Sequence, residues 1–266
     1  MTPRYIDAHC HLQFAQYDAD REMIVAQMLE QGVGAIVVGC DLASSRVAVE
    51  LAQKHEHLYA AVGVHPNELP NIGHDMSNIR ELAHQSKVVA IGECGLDYFR
   101  PTIVDDTTKE GQKELFKQHI ALAAELDLPL IIHARPSKGS MDAYHDIITM
   151  LAEAKQAHQN LRGDMHFFAG GVPEAEAFIA LGFTLSFTAV ITFARDYDEV
   201  IRTVPLTSML AETDAPYVAP ASRRGQRNDP LAVIDVATKI AEVRGDDPEA
   251  VRATLLATTR RVFALS

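Results

Sequence analysis

Tyr5-Ile6-Asp7-Ala8-His9-Cys10-His11 reads as a short strand that runs into a His-x-His pair. Side chains alternate along a strand, so His9 and His11 leave its end on one side and Cys10 on the other. Two imidazoles on one side of a strand mouth form a ready chelate for a metal ion. Taken alone, the pair is as readily two polar residues in a tight turn. The reading turns on whether later strand ends carry matching ligands.

Working outward, helical periodicity over 20–31 ends at Gly32, and Ala35-Ile36-Val37-Val38-Gly39 suits a strand buried on both faces. Ser44 is placed as the N-cap of a helix over 44–54. A strand over 58–64 closes on His65-Pro66, and Val88-Val89-Ala90-Ile91-Gly92, after a helix over 77–85, runs into Glu93. A helix over 109–126 precedes Pro129-Leu130-Ile131-Ile132, which ends at His133. Another over 141–157 precedes Asp164-Met165-His166-Phe167, and Pro173 opens a helix to Leu181. Strands over 183–187 and 208–212 flank a helix near 197–203, with Asp214 beyond the second, and helices over 231–243 and 248–263 close the chain. Eight strands alternating with helices predict a parallel sheet, and eight units in this length predict a single (β/α)8 TIM barrel, one domain over residues 1–266. A doubly wound open sheet is the alternative, but no Gly-x-Gly-x-x-Gly follows an early strand.

The 266 residues are 47% hydrophobic and 23% charged, enough for a sizeable core. No apolar run approaches the ~20 residues of a membrane span, and the start lacks the basic and apolar regions of a signal peptide. Cys10, Cys40 and Cys94 are too few and too scattered for staples, so the expected location is the reducing cytoplasm. A formal charge of −12 excludes a protein that coats a long nucleic acid electrostatically. It leaves room for an enzyme that grips only a chain end.

His9 and His11 follow strand one, Glu93 strand four, His133 strand five, His166 strand six and Asp214 strand eight. All stand at carboxyl ends, the face on which barrels of this kind carry their chemistry. Four imidazoles and two carboxylates fit one tight divalent site, or two sites that share a carboxylate.

Longer segments around these residues are distinctive: Tyr5 to His11, Gly63-Val64-His65-Pro66, Ile91-Gly92-Glu93-Cys94-Gly95-Leu96-Asp97-Tyr98, Pro129-Leu130-Ile131-Ile132-His133-Ala134-Arg135 and Leu210-Ala211-Glu212-Thr213-Asp214-Ala215-Pro216. With them the chain resembles the TatD-type metal-dependent deoxyribonucleases of the amidohydrolase-like barrel superfamily. The resemblance implies a barrel with two divalent metal ions, Mg, Mn or Zn. His9, His11, Glu93 and Asp214 would serve one, and Glu93, His133 and His166 the other. The chain departs from the family pattern at Gln13, at Asn67 after His-Pro, at Pro136-Ser137-Lys138 and at Phe167-Phe168-Ala169. None of these removes a ligand.

The expected reaction is hydrolysis of a phosphodiester by an activated water, with Asp214 as general base and Glu93 as bridge. The expected substrates are DNA ends or short single strands, with no membrane and no obligate protein partner. Arg135, two residues beyond His133, is placed either to clamp a phosphate or to pair with a neighbouring carboxylate. Arg223 and Asn228, in the densest basic run of the chain, are further candidates for substrate contact. Tyr98, Phe99, Phe167 and Phe168 are candidate stacking platforms. His65 is expected to support the site without ligating, and Asp97 to orient the loop after Glu93. Glu212 reads as a buried carboxylate without an assigned task. The competing reading is a metallo-amidohydrolase acting on a small amide or ester. Many such enzymes bridge their metals with a modified lysine where this chain has Glu93.

Overall fold

The computed structural model describes residues 2–69, 76–100 and 105–265; the outermost residues of the expected 1–266 unit lie outside them. Eight parallel strands neighbour one another in chain order: β1 (Tyr5–Cys10), β2 (Val33–Val38), β3 (Leu58–Val62), β4 (Val88–Asp97), β5 (Leu130–Arg135), β6 (Gly163–Met165), β7 (Phe183–Phe187) and β8 (Met209–Ala211). Between and after them lie α1 (Arg21–Gln31), α2 (Leu42–Lys54), α3 (Ser77–Ala83), α4 (Asp106–Leu126), α5 (Asp142–Ala157), α6 (Val172–Ala180), α7 (Asp198–Thr203), α8 (Val233–Arg244) and α9 (Pro248–Phe263). The chain is a single (β/α)8 barrel, as the alternation predicts. Among the described residues no helix is long and apolar enough to cross a membrane.

Two helices begin earlier than their periodicity suggests, because short polar residues cap them. Asp41 accepts from Ser44 N–H at 2.7 Å while Ser44 Oγ accepts from Asp41 N–H at 3.0 Å. Ser44 is therefore the third residue of a capping box and Asp41 its cap, an arrangement that contributes about 1 kcal/mol. Asp105 accepts from Thr108 N–H at 2.8 Å and starts α4 at Asp106.

The apolar side chains form two layers. The larger lies between sheet and helices. The smaller fills the barrel interior with Ile6, Ala8, Ile36, Val38, Ala61, Ala90, Ile131 and Leu210. The end of α9 adds Val262 and Phe263, which with Leu265 extend this cluster.

The register shifts at three places, and two of them matter for the site. Ile6 and Ala8 pack inside the barrel, Cys10 packs in the outer layer, yet His9 also turns inward. An extra residue on β1 reconciles them: Asp7 pairs with Ala35 but Cys10 with Val37. The same happens on β4, where Ile91 pairs with Leu130 and Cys94 with Ile132. Each bulge turns a polar side chain toward the barrel mouth without exposing its apolar neighbours. β4 consequently runs on to Asp97, past Gly92 where its apolar run ends. Glycine is required on both sides of Glu93. A Cβ on Gly92 would stand 2.7 Å from the Ile131 carbonyl oxygen, and one on Gly95, at φ +126°, would overlap the His133 carbonyl.

The barrel closes where the chain beyond β8 meets β1. Asp214 N–H donates to His9 O at 2.9 Å and His11 N–H to Ala215 O at 2.7 Å. Asp7 fastens the same seam, accepting from Thr213 N–H at 2.8 Å and from Thr213 Oγ at 2.6 Å. Residues from opposite ends of the sequence are thereby fixed beside each other.

Candidate metal centre

All six predicted ligands reach one cluster at the carboxyl ends of the strands. His9 and His11 place their Nε2 atoms 3.2 Å apart. Glu93 Oε2 lies 3.7 Å from His9 Nε2 and 3.9 Å from His11 Nε2. Asp214 Oδ1 lies 3.4 Å from His11 Nε2 and 4.0 Å from His9 Nε2. The other oxygen of Glu93, Oε1, meets different imidazoles, His133 Nδ1 at 3.1 Å and His166 Nε2 at 3.8 Å. One carboxylate therefore contributes an oxygen to each of two donor sets. Both have the spacing of a cation site: His9, His11 and Glu93 on one side, Glu93, His133 and His166 on the other.

The nitrogens facing these sets must carry lone pairs. His11 Nδ1 is 2.8 Å from Val38 O, and because a carbonyl only accepts, Nδ1 holds the proton and Nε2 is free. Glu212 Oε2 stands 3.0 Å from His166 Nδ1, and Asp97 Oδ2 stands 3.4 Å from His133 Nε2. Glu212 draws a proton to Nδ1 of His166 and turns its Nε2 toward Glu93, the arrangement that orients histidine ligands. His133 Nε2, by contrast, faces Asp97 without a hydrogen bond. His9 Nδ1 is buried without a hydrogen-bond partner. The donor set fits divalent cations.

Crowding shows in the titration of these groups. Burial would raise Glu93, but His65, His133, His9 and His166 hold it well below the usual carboxylate range. Burial and the neighbouring His166 push His9 well below an ordinary histidine. Burial opposes protonation of the other three as well, but neighbouring hydrogen-bond and charge partners outweigh it. Cys40 and Asp214 raise His11, Asp97 and Glu93 raise His133, and Glu212 raises His166 to about 9.

Above the cluster opens a cavity of about 590 Å³, within the size range of small-molecule sites. Arg135 lines it, its guanidinium 4.3 Å over the exposed ring of Phe99. Among the described residues no ion pair engages it. Arg223 and Asn228 sit elsewhere. Arg223 pairs with Asp229, and Asn228 is fully buried, its Nδ2 donating to the carbonyls of Thr213 and Val218 at 3.2 Å. Their side chains brace the loop after β8, which corrects the expectation of substrate contact. The basic run spends its other charges similarly: Arg227 pairs with Asp20 and Arg224 stacks on Phe193 at 4.3 Å.

Of the expected platforms, only Phe167 lines the cavity. Phe168 is buried against Tyr144 and Phe178, and Tyr98 is buried with its hydroxyl on Asp146. Phe14, stacked on His11 with ring centroids 4.6 Å apart, and the half-exposed Tyr217 stand there instead. No periodicity marks them, since both lie in irregular chain beyond a strand end. Glu212 had a usable signal, its place two residues before Asp214. It accepts from Phe167 N–H at 2.7 Å as well as facing His166. Cys40 is also at the site, its thiol 3.5 Å from Glu93 Oε2.

Comparison with known proteins agrees with this geometry. The profile of a family described as TatD related DNase matches residues 6–264. An uncharacterized metal-dependent hydrolase of Bacillus subtilis, YabD, is 37% identical over 264 residues, covering 98% of this chain and 99% of its own. The 3'-5' ssDNA/RNA exonuclease TatD of Escherichia fergusonii is 32% identical over 277 residues, with 98% and 99% covered. The crystal structure of YjjV, a TatD homologue from Escherichia coli, superposes with a TM-score of 0.89 at 30% identity over 100% of both chains.

Proposed function

Because the chain belongs to the TatD-related DNase family and is a metal-dependent hydrolase, we propose that it is a nuclease that cleaves phosphodiesters at DNA ends or in short single strands. The observation that carries this reading is Glu93, which offers one oxygen to each of two donor sets under a cavity that also holds the guanidinium of Arg135. The exonuclease named among its relatives supports it. We assign His9, His11, Glu93 and Asp214 to one divalent cation and Glu93, His133 and His166 to a second, each Mg, Mn or Zn. Cations held there supply Lewis acidity, to a nucleophilic water and to the charge that builds on phosphoryl oxygens.

The chain's own residues do the rest. Asp214, whose side chain is more exposed than that of Glu93 at 14% against 5%, accepts the proton of the attacking water. Its backbone is held at φ 52°, a conformation that few non-glycine residues adopt, by the bond to His9 O that closes the barrel. Glu93 fixes the separation of the two donor sets. Arg135 orients the phosphate with its planar fork. Phe14, Phe167 and Tyr217 offer faces for a terminal base. Three free cysteines fit a cytoplasmic setting.

The test is release of mononucleotides from single-stranded and duplex DNA after chelation and after restoring Mg, Mn or Zn. Metal-restored release that Asp214→Asn abolishes is the expected result. Stoichiometric metal binding with no phosphodiester cleaved would overturn the reading, and small amides and esters become the substrates to screen.

A further inference from the structure

The chain beyond β3 holds an imidazole that neither donor set uses. His65 is buried to all but 7% of its surface, yet it lines the cavity. Its Nδ1 lies 3.1 Å from the backbone N–H of Asn67, which can only donate. Nδ1 is therefore the acceptor, and the proton of a neutral ring sits on Nε2. Nε2 stands 3.7 Å from Glu93 Oε1, beyond hydrogen-bond distance. Among the described residues no hydrogen bond claims it. An N–H donor, fixed by the backbone, is left beside the carboxylate oxygen that also faces His133 and His166.

We propose that His65 is a catalytic residue whose Nε2–H donates a hydrogen bond to a phosphoryl oxygen of the substrate, next to Glu93 Oε1. The proposal rests on the phosphodiesterase reading and deepens it by naming a donor for the charge that develops on that oxygen. A donor held in place before reaction needs no reorganisation as charge builds, which is where such groups gain their effect. His65, Asp97 and His133 also have the spacing of a cation site. Ligation through Nε2 of His65, however, would move its proton to Nδ1, where it would face the N–H of Asn67. The tautomer that fits the backbone is the donor.

The first experiment is ¹⁵N NMR of the metal-loaded protein with labelled histidine. His65 is expected as the Nε2–H tautomer across about pH 6–8; the Nδ1–H tautomer would overturn the proposal. Inorganic phosphate is then titrated into metal-loaded wild type and His65→Ala. About tenfold weaker binding in the variant is expected, from loss of one hydrogen bond to a charged oxygen; equal binding overturns it. On single-stranded DNA, His65→Ala should lower kcat about a hundredfold, with a smaller change in KM and unchanged metal content. His65→Gln, which restores an N–H near the same position, should recover part of that loss. If His65→Ala loses metal together with activity, and His65→Gln recovers neither, the residue only braces the site and the proposal fails. If wild type cleaves no phosphodiester, the functional reading fails by itself, and the NMR and phosphate titrations still decide on the donor.

Discussion

The two halves of the donor cluster meet at Glu93 but are built differently. On the Oε1 side each imidazole faces a buried carboxylate, His166 hydrogen-bonded to Glu212 and His133 beside Asp97 at 3.4 Å without a hydrogen bond. On the Oε2 side His11 leans on a backbone carbonyl, His9 Nδ1 has no partner, and the remaining ligand is Asp214 at the cavity wall. A carboxylate behind an imidazole fixes its ring and raises its basicity. Under the proposed function the Oε1 half would hold a cation the more firmly, chiefly through His166. The Oε2 half, with its more exposed aspartate, is organised to exchange protons with what enters the cavity. Under the proposed function, holding and reacting would be divided between the two faces of one carboxylate.

Asp214→Asn puts the largest effect on this division. Turnover should fall by about a thousandfold or more, while cation binding on the Oε1 half persists by calorimetry. Loss of both cations together would break the comparison. Glu212→Gln should weaken binding on the Oε1 half by about ten- to a hundredfold and leave the Oε2 half within a few-fold. Asp97→Asn should act in the same direction with a smaller effect, because its contact at 3.4 Å is longer than the 3.0 Å of Glu212. Equal weakening of both halves in either variant would mean that these carboxylates support the fold and not one set.

Within the Oε2 half, proton release separates His11 from His9. His166 is raised to about 9, so below that pH the cation-free ring carries a proton that binding must displace. His133 on the same half and His11 on the Oε2 half are raised too, whereas His9 is lowered and already neutral. Affinity for the Oε1 half should therefore rise with pH toward about 9, and binding on the Oε2 half should also release a proton, from His11. Calorimetry in buffers of different ionisation enthalpy measures this directly. Uptake without proton release would contradict the assigned protonation. The smallest expected effect is Arg135→Lys, which keeps the charge but loses the planar fork. KM for single-stranded DNA should rise several-fold with kcat nearly unchanged; a fall in kcat alone would place Arg135 at the reacting phosphate and not at its binding.

The sequence by itself determined the barrel and where its candidate ligands stand. Eight apolar runs alternating with helical stretches leave few topologies, and polar residues after a buried strand must emerge at its end. His9, His11, Glu93, His133, His166 and Asp214 were therefore legible without a structure. So were Gly92 and Gly95, though only as part of a distinctive motif. Two things were not legible, for one physical reason: they depend on residues far apart in the chain. The bulges that turn His9 and Glu93 inward appear only in the register of β1 on β2 and of β4 on β5. The partners of polar side chains are likewise set by tertiary packing. It gives Glu212 to His166, commits Arg223 and Asn228 to bracing a loop, and leaves Arg135 and His65 facing the cavity. A strand end announces that a polar group is present, but only the neighbours brought by the fold decide whether it ligates, braces or donates.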